Sequence, residues 1–199
     1  FGYMTALAYI GAFAVYQALP SQRDNPALRR VGYLFALSCV ANVAWLFLWH
    51  YERFPLTIVA MVALLLLLIA IYVRLGIGRT PASAAETWLV RLPFSIYLGW
   101  VTVATIANAS QLLVYLNWGG WGISPEVWTL IMLGAATAIT AAVTITRGDV
   151  AYGLVIVWAF VGIAVKHAAT PIVSTTAWVM SGVVVIVTIL GAWLNRQPG

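Results

Sequence analysis

The sequence contains very few charged residues. Only 8% of its 199 residues are charged, 63% are hydrophobic, and the mean hydropathy is +0.98. A soluble domain carries about 25% charged residues, so this chain has too little polar surface for water to solvate it. The scarcity of charge excludes a soluble globular domain and predicts an integral membrane protein.

Several kinds of chemistry are missing as well. All five acidic residues of the chain lie in predicted loops or at segment ends, whereas proton pumps and ion-coupled carriers place ionisable groups inside the membrane. The sequence contains no phosphate-binding loop, no metalloprotease motif and no nucleophile elbow. We therefore expect neither a pump nor an enzyme.

The sequence also offers no metal or disulfide framework. The one cysteine, Cys39, excludes an internal disulfide. The two histidines, His50 and His167, are far apart and form no metal-ligand spacing. The net charge of +5 comes mainly from arginines in loops, which indicates membrane topology and not a nucleic-acid partner.

Long apolar segments make up most of the chain. Each is close to the roughly 20 residues that a membrane-crossing helix requires, and none shows the alternating pattern of a barrel strand. The sequence therefore predicts an all-α integral membrane protein with seven transmembrane helices. The predicted segments are 2–19, 31–50, 54–74, 92–117, 126–146, 150–168 and 171–194. The longest connection, 76–91, is predicted to be a loop containing a short interfacial helix at ASAAE.

The basic residues are distributed unevenly between the connections. Arg53 and Lys166 lie on one predicted side, and eight arginines lie on the other: Arg23, Arg29, Arg30, Arg74, Arg79, Arg91, Arg147 and Arg196. Positive charge accumulates on the cytoplasmic side of a membrane protein. We therefore expect the loops after the first, third and fifth helices and the C-terminus to be cytoplasmic, with the chain in a bacterial inner membrane.

Two of the predicted helices carry polar and aromatic residues at helical spacing. Positions three and four apart share one face of a helix. The fourth segment has such a stripe at Tyr97, Trp100, Ala104, Asn108, Gln111 and Tyr115. The second segment has one at Ser38, Asn42, Trp45 and Trp49. Neither stripe suits a lipid-facing surface, so we expect both to point into the helix bundle.

The two stripes allow two interpretations. Amides and small residues often bridge membrane helices through hydrogen bonds, and this structural role needs no ligand. Aromatic walls with a few orienting polar groups are equally typical of a small-molecule pocket. On the second interpretation the residues of the two stripes would line the pocket.

The residues of these stripes resemble a known family. The stretch Trp100 to Asn108, W-V-x-x-A-T-x-x-N, is similar to the last-helix signature of the TspO/translocator-protein family, the tryptophan-rich sensory proteins. Asn42-x-x-Trp45, followed by Leu-Phe-Leu-Trp, resembles the N-x-x-W-x-x-L-F-F stretch of the same family. The order of the two motifs also agrees.

The resemblance covers residues 1–117 and implies the second to fifth helices of a TspO-like bundle, with the family's first helix upstream of Phe1. Residues 118–199 would add three transmembrane helices. It also implies a membrane receptor or carrier that binds a flat hydrophobic ligand, tetrapyrrole or sterol-like, within the bundle. The ligand-binding residues that the resemblance implies are Asn42, Trp45, Tyr97, Trp100, Ala104 and Asn108. The residues themselves do not identify a cofactor; a porphyrin-type tetrapyrrole or another pigment or lipid would suit that pocket.

Two further functions remain open. Small residues at 133–142 let helices approach closely, which favours a non-catalytic subunit of a larger membrane complex, such as a photosynthetic or respiratory one. A facilitator for small solutes would also suit seven helices, although no inverted repeat is evident. The expected partners are the lipid bilayer, a hydrophobic small molecule and a homodimer or larger membrane assembly, with no nucleic acid.

Overall fold

The computed structural model describes the backbone of residues 2–195 and the side chains of residues 8–195. Helix is the only regular secondary structure in that range. The main helices are α1 (Gly2–Ala18), α2 (Pro26–Val31), α3 (Tyr33–His50), α4 (Phe54–Arg74), α5 (Ala84–Glu86), α6 (Leu92–Tyr115), α7 (Pro125–Arg147), α8 (Val150–Lys166) and α9 (Pro171–Leu194). They form two compact units, Phe1–Tyr115 and Leu116–Gly199.

The predicted all-α membrane protein is confirmed. Five helical stretches are long and apolar enough to cross a membrane, namely α3, α4, Ala84–Tyr115, α7 and α9. The α8 helix is apolar but shorter, with 17 residues, and α1 also has 17. Five of the seven predicted spans therefore have the required length. Arg196, one of the arginines used to orient the chain, lies outside the described residues.

Within the predicted connection 76–91, the short helix at ASAAE is confirmed as α5, whereas the loop predicted for 87–91 is wrong. Helix begins at Ala84 and continues through a π-helical turn, Thr87–Arg91, into α6. The Ser83 hydroxyl accepts a hydrogen bond from the Glu86 amide at 3.1 Å and caps the new helix start. Pro93 lacks an amide proton and its ring crowds the preceding turn, so the wider π turn just before it lets the helix continue.

A buried arginine ties the remaining loop to the start of α6. The Arg91 side chain is only 7% exposed. It donates to Glu86 Oε1 at 2.9 Å, to the Thr80 carbonyl at 2.6 Å and to the Pro81 carbonyl at 3.2 Å. Arginine can hold several acceptors at once because its donors form a rigid planar fork. The segment from Thr80 to Glu86 is thereby fixed against the helix.

The end of α4 has the usual form of a left-handed helix cap. Gly76 adopts a φ of +63°, which glycine tolerates without a steric cost. Its amide donates to the Val73 carbonyl at 3.0 Å, and the next amide, that of Ile77, donates to Tyr72 at 3.5 Å. This is a Schellman motif, in which the residue after the glycine packs on the last turn. Ile77 does so as a buried apolar side chain.

The end of α3 repeats this hydrogen-bond pattern with different residues. Glu52 takes the left-handed position, with a φ of +55°, and its amide donates to Trp49 at 3.1 Å. The following amide, that of Arg53, donates to the Leu48 carbonyl at 2.8 Å. A charged pair therefore stands where the α4 cap has glycine and isoleucine, and the glutamate carries a backbone cost that glycine avoids.

Within the first unit, α4 packs against both α3 and α6, and α1 packs against α6. One face of α4 is buried, at Thr57, Met61, Leu64, Leu68 and Ile71. At one end of the unit, Phe13 of α1 lies 4.9 Å from both Phe35 of α3 and Phe94 of α6, measured between ring centroids. These edge-on rings bring the starts of α3 and α6 together.

Within the second unit, α9 packs against both α7 and α8 through small residues. A Cβ atom added at Gly191 would overlap the Thr144 carbonyl of α7, and one added at Gly153 of α8 would overlap the Thr188 side chain. The buried face of α9 consists of Val173, Ala177, Ser181, Val184, Thr188 and Gly191. Such faces let membrane helices approach until their backbones touch.

We expect Gly191→Ala to destabilise the second unit by about 1 to 3 kcal/mol, because the added methyl group forces α9 away from the α7 backbone. Gly182→Ala is the matched control on the same helix, since a Cβ there meets no atom within 4 Å. Its free energy of unfolding should stay unchanged or rise slightly through helix propensity. Unfolding in mixed detergent micelles measures both, and equal stabilities would contradict the close contact.

Candidate functional site

The predicted residues of α6 lie at different depths in the first unit. Tyr97 is 5% exposed and Asn108 is 2% exposed, while Trp100 and Ala104 are half-buried. The outer end of the same stripe, Tyr115, is exposed. The stripe therefore turns inward over most of its length and reaches the surface at the end of the helix.

Asn108 has a hydrogen-bond partner on a neighbouring helix. Its Nδ2 donates to Thr57 Oγ1 of α4 at 3.1 Å, and its Oδ1 lies 3.2 Å from the same hydroxyl. Thr57 Oγ1 also donates to the Phe54 carbonyl at 2.8 Å. A hydroxyl has one hydrogen, so when Thr57 donates to Phe54 it accepts from Asn108 Nδ2. Asn108 therefore acts at least in part as a bridge between α4 and α6.

The predicted residues of α3 are less deeply buried. Asn42 and Trp45 are half-buried, whereas Ser38 is 1% exposed and donates to the Phe35 carbonyl at 2.7 Å. The indole nitrogen of Trp45 is fully enclosed, yet among residues 8–195 it has no hydrogen-bond partner. An enclosed donor without an acceptor costs about 1 to 3 kcal/mol, which makes this atom unusual.

A row of aromatic rings connects the outer ends of the two stripes. Trp45 stacks on Trp49 with centroids 5.6 Å apart, Trp49 meets Phe54 of α4 at 5.4 Å, and Phe54 meets Tyr115 of α6 at 5.2 Å. The Phe13, Phe35 and Phe94 rings lie at the opposite end of these helices. The six predicted residues therefore lie on parts of α3 and α6 that have an aromatic cluster at each end. The α4 helix packs against both of these helices.

Sequence reasoning missed two residues of this arrangement, Thr57 and Phe54. Thr57 is fully buried and is the only serine or threonine between positions 54 and 74. A single serine or threonine hydroxyl in an otherwise apolar span is a usable signal, because lipid gives it no hydrogen-bond partner. Phe54 offers no comparable signal, since aromatic residues are common at the ends of membrane helices.

An open depression of about 330 Å³ lies at the end of α3, away from the six predicted residues. Phe47, Leu48, Tyr51 and Arg53 line it. It combines apolar and aromatic side chains with one cationic side chain at the turn between two membrane-length helices.

The acidic residues occupy helix ends and turns, as predicted. Asp149, the most buried of them, is 7% exposed and caps α8 by accepting from the Tyr152 amide at 3.1 Å. Glu126 lies in the first turn of α7, and Glu52 lies in the turn after α3. Among the described residues, no group of three or more His, Cys, Asp or Glu side chains is arranged to hold a metal ion.

Comparison with known proteins gives one match. A family model described as TSPO-like protein matches residues 6–190. The matched range contains both motifs and extends through α7, α8 and most of α9, beyond the 1–117 over which the motifs resemble the family. No curated protein and no solved structure matches the chain.

We expect the hydrogen bond between Thr57 and Asn108 to contribute about 0.6 to 1.7 kcal/mol to stability, the range found for such bonds between membrane helices. A double-mutant cycle with Thr57→Val and Asn108→Leu isolates this coupling in the free energy of unfolding. Thr105→Val is the control, because the Thr105 hydroxyl bonds the Val101 carbonyl of its own helix. Additive effects of the two substitutions would contradict the bridge.

Proposed function

The chain belongs to the TSPO-like protein family, and from that membership we propose that it is a membrane receptor or carrier for a flat hydrophobic ligand. The ligand is a tetrapyrrole or a sterol-like molecule that enters the first unit between α3 and α6. The protein acts by binding and not by catalysis. The binding residues are Asn42, Trp45, Tyr97, Trp100, Ala104 and Asn108.

The enclosed indole N–H of Trp45 is the observation that carries this proposal. Buried donors almost always have an acceptor, and this one has none among the described side chains. A bound ligand with an acceptor atom would complete its hydrogen bonding. The ring nitrogens or carboxylates of a porphyrin suit that role, and so does the oxygen of a sterol.

The neighbouring side chains suit a flat ligand. Trp100 is half-buried and presents an indole ring that can stack on a macrocycle. Ala104, one helical turn further along, has a short side chain that leaves space beside that ring. When the Thr57 hydroxyl donates to Phe54, Asn108 makes one hydrogen bond with Thr57, through one of its amide protons. Its second amide proton and its amide oxygen remain for other partners, so Asn108 can orient a polar edge of the ligand.

We expect Trp45→Phe to weaken porphyrin binding about three- to tenfold, because phenylalanine keeps an aromatic ring and loses one hydrogen-bond donor. Trp100→Ala should weaken binding further, since it removes the stacking surface. Affinity is measured from the visible absorbance of the porphyrin during titration of the purified protein, so that the loss of a tryptophan does not affect the signal.

The matched control for this titration is Trp158→Phe. Trp158 lies on α8 and is 60% exposed, so its replacement should leave the porphyrin affinity unchanged. Equal affinities for the wild type, Trp45→Phe and Trp100→Ala would contradict the proposed site. Equal losses for Trp45→Phe and Trp158→Phe would indicate general adsorption to tryptophans.

We also propose that all seven long helices cross a bacterial inner membrane, with the loops after α1 and α4, the turn after α7 and the C-terminus in the cytoplasm. The charge distribution supports this orientation. The α8 helix spans about 25 Å at 1.5 Å per residue, close to the thickness of a hydrocarbon core. The short RGD turn, with α7 ending at Arg147 and α8 starting at Val150, and the packing of α8 against α7 and α9 support an α8 that returns through the bilayer.

We expect cysteine labelling to confirm the crossing of α8. In a Cys39→Ala background, a reporter at Ala169→Cys should react with an impermeant maleimide in intact cells. A reporter at Ala82→Cys or Val150→Cys should react only after permeabilisation. Labelling of Ala169→Cys only after permeabilisation would show that α8 does not cross.

A second candidate function is a non-catalytic structural subunit of a larger membrane assembly. One observation favours it: Ala135, Ala138 and Ala142 form an exposed strip of small side chains along α7. Small residues at a lipid-facing surface let another helix approach closely. The two functions differ in mild detergent, where a subunit remains with stoichiometric partners and a receptor is recovered alone or as a homodimer.

A further inference from the structure

The depression at the end of α3 lies where two membrane-length helices meet the bilayer surface. The α3 helix ends at His50 and α4 begins at Phe54, so residues 51–53 form a turn that must sit at the level of the lipid headgroups. Phe47 is 58% exposed and Tyr51 is 67% exposed. The depression therefore faces the surroundings of the protein at the boundary between hydrocarbon and water.

The backbone of Arg53 is fixed at this depression, and its side chain is exposed. Its amide donates to Leu48 at 2.8 Å in the cap that ends α3, and Leu48 is another lining residue. Within residues 8–195 the Arg53 guanidinium forms no hydrogen bond or ion pair. A positioned, uncompensated cation at an apolar surface attracts an anion that also has an apolar part.

The cap of α4 has the same hydrogen-bond pattern without a charged residue and serves as a comparison. There, glycine occupies the left-handed position and the buried side chain of Ile77 covers the last turn. At the end of α3, Glu52 accepts the strained conformation and an arginine takes the covering position. Strained backbone in a tight turn often accompanies a functional site, and here the strained residue directly precedes Arg53.

We propose that this depression binds one membrane phospholipid through its phosphate group. The Arg53 guanidinium binds the phosphate oxygens with two parallel hydrogen bonds, a geometry that arginine matches well. The Tyr51 hydroxyl supplies a further donor at headgroup level. Phe47 and Leu48 contact the first part of an acyl chain. The volume of about 330 Å³ suits this part of a lipid, with the rest of the chain in the bilayer.

This lipid site is independent of the proposed receptor function. None of the six candidate receptor residues lines the depression, and the ligand reaches it from the bilayer surface. The Glu52 carboxylate is also absent from the lining, although it is adjacent in sequence. Anionic lipids should bind more tightly than zwitterionic ones, because a choline group would compete with Arg53 for the phosphate.

The test is native mass spectrometry of the protein released from nanodiscs that contain equal amounts of phosphatidylglycerol and phosphatidylcholine. The wild type should retain one phosphatidylglycerol. Arg53→Gln should retain about tenfold less, the loss expected for one charge-assisted hydrogen bond. Arg53→Lys should fall between the two, since lysine keeps the charge and loses the planar fork.

Two controls make the result specific. Arg79→Gln removes an exposed arginine from the loop after α4 and should retain the lipid as the wild type does. Glu52→Gly relieves the strained turn and keeps Arg53, so retention should be equal to or above that of the wild type. Porphyrin affinity should not change in Arg53→Gln, so failure of the receptor proposal would leave this one intact.

Several outcomes would overturn the proposal. Equal retention by the wild type and Arg53→Gln would show that the guanidinium does not bind the lipid. Equal losses in Arg53→Gln and Arg79→Gln would indicate general attraction of a basic protein to anionic lipid. Displacement of the lipid by an equimolar fatty acid or by inorganic phosphate would show that the site recognises a carboxylate chain or a free anion, and not a phospholipid.

Discussion

The absence of hydrogen-bond partners in lipid constrains every polar group in this protein. Several hydroxyl groups meet this constraint within their own helices: Thr105 bonds Val101, and Thr140 bonds Ala136. An asparagine amide has more donors and acceptors than one such bond uses, so Asn108 reaches Thr57 of another helix. Among the described residues, the Trp45 indole nitrogen and the hydroxyls of Ser181 and Thr188 are enclosed without a partner, and the indole is the basis of the proposed binding function.

The two units satisfy the demand for close packing in different ways. The first unit fills its interior with large side chains, including Phe13, Phe94 and the leucines of α4. The second unit has glycines at its helix contacts: Gly191 lies against the Thr144 backbone and Gly153 lies against the Thr188 side chain. Large side chains can rearrange around a ligand, whereas a backbone contact cannot be widened without separating the helices. This contrast agrees with a ligand site in the first unit.

Much of the fold could be predicted because hydropathy reports directly on burial in lipid. Each predicted apolar segment corresponds to a helix within a few residues at either end, and even the break before Pro171 is correct. A short helix was predicted at ASAAE, but its continuation into α6 was missed because Pro93 and the polar residues of 76–91 suggested a loop. The sequence does contain a cap signal, Ser83 with Glu86 three residues later, but such a signal competes with a nearby helix breaker.

The candidate site was harder to predict than the helices that carry it. Helical spacing correctly placed Tyr97 and Asn108 on an inward face, but spacing alone does not reveal which neighbour an amide will choose. Asn108 bonds to Thr57, a residue outside both stripes, because α4 lies against both α3 and α6. The hydrogen-bond partner of a buried amide depends on how the helices are arranged around each other. The spacing of residues along one helix gives no information about that arrangement.

The glycine contacts of the second unit also bear on its behaviour in membranes of different thickness. At 1.5 Å per residue, α8 is about 25 Å long and α9 about 36 Å long, from 17 and 24 residues. Gly191 of α9 fits against the α7 backbone and Gly153 of α8 fits against the Thr188 side chain of α9, so the three helices cannot slide past each other freely to even out this difference. A thinner or thicker bilayer must instead be accommodated by tilting α7, α8 and α9 together, or by deforming the lipid around the short helix.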